Sequence, residues 1–190
     1  MGRVQSSALV LLALLLALFA AMRTHVGGAA SMELYSREAE PGFEWRRGEL
    51  PPDRWIGIVL DQDGWNQLDE RGAAWAGEPP DFDEEVAVVA SLGVMPSGGY
   101  AVRVRRVTYT PARARNEAQV IVEIQAAAPA PDALVTLALT HPRDVVTIPR
   151  SAWPADALRA LGAGEVSVSV VDQHGRDWGP GHVLGALTRR

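Results

Sequence analysis

Residues Glu85–Tyr100, EVAVVASLGVMPSGGY, constrain the fold more than any other stretch of the chain. Val86, Val88 and Ala90 alternate with Ala87, Val89 and Ser91, so an extended chain here is apolar on both faces. A strand of that kind is covered on both sides. Pro96 fixes φ and offers no donor to a ladder, so the strand has to end near Met95. Gly98 and Gly99 then permit backbone conformations that a side chain forbids. A second strand, Tyr100–Tyr109, follows at once. Tyr100, Val102, Val104 and Arg106 fall on one face, with Ala101, Arg103, Arg105 and Val107 on the other, so the strand is half-exposed with Arg103 and Arg105 in water. Pro96, Ser97, Gly98, Gly99 and Tyr100 read in two ways. One is a hairpin turn whose tyrosine packs in the core. The other is a rigid loop that presents Ser97 and Tyr100 to a partner, because tyrosine offers contact area and a hydroxyl at low entropy cost.

The remaining elements follow from local signals. Arg54–Leu60 predicts a first strand. Asp61 or Asp63 can cap a helix over Gly64–Trp75, with Trp65, Leu68, Gly72 and Trp75 on one face. Strands are expected at Glu85–Leu92, Tyr100–Tyr109, Glu117–Ala126, Ala133–Thr140 and Val145–Ile148. Pro154 opens a helix that ends before Gly162 and Gly164, with Trp153, Ala157, Leu158 and Leu161 inward. Glu165–Asp172 alternates cleanly, turns at Gln173–Gly175 and returns from Arg176. Gly181–Leu187 reads as a last short strand or helix. The sum is a mainly β chain, β-sandwich-like or α+β, with seven to eight strands and two short helices. Met32–Pro52 reads as a linker or a loosely packed lead-in, on which Phe43 and Trp45 could dock.

The N-terminus predicts export. Arg3 precedes the uncharged, Leu- and Ala-rich run Ala8–Met22, and a small-residue tract ends at Ala30. This is the pattern of a secretory signal cleaved after Ala30, or of an uncleaved anchor, since Val4–Met22 is about the length that spans a bilayer. Residues 1–30 are thus a signal peptide or signal anchor, and the domain is expected outside the cytoplasm: secreted, periplasmic or held at the membrane by that segment. The chain has no cysteine, which removes any disulfide framework and any lipid anchor built on one. Its 18 basic and 23 acidic residues leave a net charge of −5, and the basic residues are dispersed. A nucleic-acid partner is not expected.

No cluster forms a catalytic centre, and neither metal nor cofactor is expected. Asp61-Gln62-Asp63-Gly64 starts like a calcium loop, but Trp65 stands where the next ligand belongs and the glycine comes early, so helix capping is the reading. His174 and His182 with Asp172 and Asp177 are explained by a hairpin with a turn histidine rather than by zinc. Ser97 lacks the Gly-x-Ser-x-Gly elbow of a nucleophile.

Phe82-Asp83, VAVVASLG, Pro-Ser-Gly-Gly-Tyr and the alternating strand after it resemble the C-terminal domain of the PrcB family, the protease complex subunit PrcB. Ser97 stands where that family usually has threonine. Ile121–Ile124, Pro129, Leu134–Leu139 and Pro142 to Pro149 continue the resemblance in order, so that it covers Asp81–Pro149 within a β-rich domain at 53–190. It implies an exported, non-enzymatic domain that binds an extracytoplasmic protease or its precursor and stabilises or helps mature it; on the partner-presenting reading of the turn, Pro96–Tyr100 are the partner-binding residues. MPSGGY is also similar to one loop of the chagasin-type cysteine protease inhibitors, which implies an inhibitory alternative. A third reading is an envelope domain that binds a peptide or surface component along the edge of Tyr100–Tyr109.

Overall fold

The computed structural model describes residues 30–45, 49–70, 78–113 and 117–185. The segment read as signal or anchor lies outside them, apart from Ala30. Ser31–Arg190 forms one compact unit. Its described residues hold nine strands in two sheets, with two α-helices. The strands are β1 Met32–Ser36, β2 Trp55–Val59, β3 Glu85–Ser91, β4 Ala101–Thr110, β5 Ala118–Ala127, β6 Arg143–Pro149, β7 Val166–Asp172, β8 Asp177–Pro180 and β9 His182–Leu184. Helix α1 spans Gln62–Glu70 and α2 spans Ala155–Ala163. A five-stranded sheet runs β1-β4-β5-β7-β8, and a four-stranded sheet runs β6-β3-β2-β9. The chain is mainly β, as expected.

The sheets share one core. Ile56, Ile58, Val86 and Val88 of the smaller sheet pack in one buried cluster with Val102, Val104, Val120, Val122 and Val168 of the larger. A second cluster lies on the other face of the smaller sheet, where Trp55, Val59, Ala87 and Val89 meet Trp65 and Leu68 of α1. That second layer is why β3 is apolar on both faces. Asp61 caps α1, its Oδ1 accepting the Gly64 amide at 2.7 Å. Helix α2 ends at Gly164, whose left-handed conformation returns its amide to the carbonyls of Ala160 and Leu161. Residues Gly72 and Trp75 of the expected first helix lie outside the described residues. No helix of the described residues is long and apolar enough to cross a membrane.

Four expectations are corrected. The described part of the lead-in, residues 32–45, is packed rather than loose: β1 pairs antiparallel with β4, and Trp45 docks in the core, as the reading of Phe43 and Trp45 allowed. Its charged residues hid this, because Glu33 and Glu40 form ion pairs with Arg106 and Arg103 across the wet face of β4. In β4, a register shift between Val104 and Arg106 changes the face mid-strand. Val107 and Tyr109 therefore continue the buried side of Tyr100, Val102 and Val104, and Arg106 turns outward. Both edges of β4 are paired, with β1 and β5, so β4 cannot take up a peptide along its edge. Finally, Ala133–Thr140 is no strand. It makes one isolated bridge, Met95 with Thr140, and is otherwise irregular. Strand β1, together with β9 inside the expected Gly181–Leu187, brings the count among the described residues to nine.

Candidate functional site

Pro96–Tyr100 is not a hairpin turn. Strand β3 belongs to the smaller sheet and β4 to the larger, so these five residues carry the chain from one sheet to the other. The turn is tied to the irregular segment 129–140, which lies along it as a strap. Met95 and Thr140 exchange backbone hydrogen bonds at 2.8 and 2.9 Å. The Gly98 amide donates to the Thr136 carbonyl at 2.9 Å, and the Thr140 hydroxyl donates to the Ser97 carbonyl at 2.7 Å. The Ser97 hydroxyl stays local, donating to the Gly98 carbonyl at 3.2 Å.

The sequence-predicted residues divide by exposure. Pro96 and Gly99 are exposed, Ser97 and Gly98 are half-buried, and Tyr100 is buried. Tyr100 therefore anchors the turn rather than projecting from it. Its ring lies 6.1 Å from that of Trp45, which stands edge-on to Trp178 at 5.4 Å. Gly99 sits at φ +83°, and a Cβ there would come within 3.0 Å of Pro129 and Val135. Replacing Gly99 by alanine is expected to cost about 1–2 kcal/mol, the left-handed penalty for a side chain. Urea unfolding checks this, and an unchanged midpoint would mean the turn is free to rearrange.

Beside the turn lies a cleft of about 430 Å³, walled by Trp45, Leu50, Pro51, Val94, Met95, Pro96 and Tyr100. Val94 on its rim is exposed, and Leu134, Leu137 and Leu139 of the strap are 103%, 91% and 72% exposed. Sequence reasoning missed these leucines, because Leu-Val-Thr-Leu-Ala-Leu-Thr reads as a half-buried strand. The cleft beside the turn and the leucines of the strap each leave apolar groups in solvent, as interaction sites do.

The other candidate clusters serve the fold. Asp172 accepts the amides of His174 and Arg176 and the indole N–H of Trp178 at 2.9, 3.0 and 3.2 Å. The His182 ring stacks on Trp55 at 5.7 Å. Among the described residues, no group of three or more His, Asp or Glu could hold a metal ion.

A family model covers part of this region. Residues 86–149 match the PrcB C-terminal family. The PrcB match starts in β3, takes in the crossover turn, β4, β5 and the strap, and ends with β6. It points to a role in association with a protease complex. No curated protein and no solved structure matches the chain. Trp45, Leu50 and Pro51 of the cleft lie outside the PrcB segment, so the fold adds one wall of the cleft from the lead-in that precedes it.

Proposed function

We propose that this chain is an exported, non-enzymatic protein-binding domain that associates with an extracytoplasmic protease or its precursor and stabilises it or helps it mature. The observation that carries this reading is the PrcB C-terminal match, which takes in the turn beside the apolar cleft and the strap with its exposed leucines. The basic, apolar and small-residue order of residues 1–30 supports export. The partner-binding residues are Pro96, Ser97, Gly98 and Gly99 at the surface, with Tyr100 contributing through the cleft wall. A wedge of the chagasin kind needs a loop that stands clear of its neighbours. The hydrogen bonds from turn to strap and the burial of Tyr100 favour a docking surface over a wedge.

Affinity capture from an envelope extract tests this. The wild-type chain is expected to retain a protease, and Val94→Glu and Pro96→Glu are expected to lose it. Both side chains are exposed, so unfolding midpoints should stay within about 0.5 kcal/mol of wild type. Capture of no protease by the folded wild type would overturn the reading. Equal capture by all three proteins would move the interface off the turn. Assaying the captured protease then separates stabilisation from inhibition.

A further inference from the structure

The strap carries a stretch of unpaired backbone. Thr136 and Thr140 use their backbone groups toward the turn. Among the described residues, neither the amides nor the carbonyls of Val135, Leu137 and Leu139 have a backbone partner, so these groups are open to another extended chain. Among the described residues, none of the amides from Leu134 to Leu139 donates to another protein group. Sheet edges are usually blunted by charge, proline or bulges. From Ala133 to Thr140 the chain has no charge, no proline and no glycine, and its leucines stand in solvent.

We propose that two copies of this chain pair through this edge, antiparallel, with Leu137 of one copy opposite Leu137 of the other. A row of free amides is matched by another extended backbone, whereas a lipid surface would accept the leucines and leave the amides unsatisfied. The sequence favours a second copy of itself. Centred on Leu137, the register sets Val135 opposite Leu139 and Leu134 opposite Thr140, and no charge falls inside the paired stretch. The flanks carry opposite charges, Asp132 before and Arg143 after. Antiparallel pairing sets Asp132 opposite Pro142 and so next to Arg143 of the twin, twice over, while parallel pairing sets like charges side by side. The twofold closes on itself and covers the edge in both copies. The bend at Ala138 is what pairing straightens. This inference goes beyond the protease-binding reading and does not depend on it.

The absence of cysteine makes the test direct. The full chain carrying Leu137→Cys is cross-linked in the producing cells with a short, membrane-permeant bis-maleimide and run on a denaturing gel. Two Leu137 positions facing each other have Cα atoms about 5.5 Å apart in a hydrogen-bonded pair. Two Leu134 positions in the same register are about 20 Å apart. Leu137→Cys is therefore expected to give on the order of tenfold more dimer than Leu134→Cys, given those separations. Adding Leu139→Pro, which removes an edge amide at an exposed site, is expected to abolish the dimer while circular dichroism stays unchanged. Equal cross-linking at 134 and 137, a cross-link to a different protein, or no dimer at all would each overturn the proposal.

Discussion

Replacing Trp178 by alanine is expected to destabilise the folded unit by about 4 kcal/mol, the usual cost of removing a large aromatic side chain from a core. At the size of this unit that corresponds to a fall in Tm of roughly 12 °C. Trp178 is among the largest fully buried side chains and belongs to the shared core of the two sheets. Its loss removes the edge-on partner of Trp45, which in turn flanks Tyr100. The loosening therefore reaches the crossover turn, and accelerated amide exchange at Gly98 is expected beside the lower Tm. Trp178→Phe keeps most of the packing and loses the indole hydrogen bond to Asp172, for a cost of about 1.5 kcal/mol. A Trp178→Ala loss no larger than that of Trp178→Phe would show that the aromatic packing contributes little.

Asp172→Asn is expected to cost about 3 kcal/mol at neutral pH, because a charged acceptor that gathers several donors is replaced by an amide that must turn an N–H toward one of them. The side chain is buried, and burial by itself would raise its pKa. The amides of Arg176 and His174, the Trp178 indole and the Arg176 guanidinium outweigh that and hold the carboxyl below its ordinary value. A pKa lowered by folding means that the carboxylate's contribution is complete above the pKa of the unfolded chain. It shrinks as pH falls through the folded-state value. Wild-type stability should therefore drop below the ordinary carboxylate range more steeply than that of Asp172→Asn. Urea midpoints measured from neutral pH down into that acid range check this, and parallel curves would remove Asp172 as the titrating group. Trp178 and Asp172 share a hydrogen bond, so Trp178→Ala with Asp172→Asn should cost less than the sum of the two.

The hairpin that both predictions address was legible in the sequence. Val166–Asp172 alternates, Gly175 follows, and Asp172 sits where an acceptor can gather the amides of the turn. The double-sided burial of β3, the capping of α1 by Asp61 and the stop of α2 at Gly164 were equally readable, although Gly162, expected to end that helix, lies inside it. The same holds for the resemblance to PrcB. Each of these depends on side-chain period or on groups a few residues apart.

The tertiary structure alone decided which strands share a sheet. Nothing local separates β3 and β4, joined by a glycine turn, from a hairpin, yet they lie in different sheets because each finds its partners far along the chain. The register shift in β4 is of the same kind. Alternation predicts Arg106 inward and Val107 outward, but pairing with β5 inserts the extra residue and reverses them. Met32–Pro52 looked like a polar lead-in because Glu33 and Glu40 find their ion-pair partners, Arg106 and Arg103, more than 60 residues away. The leucines of the strap have the pattern of a strand but, among the described residues, no strand pairs with them. Period specifies what a segment can become; whether it does depends on a partner edge, which the described residues do not supply to the strap.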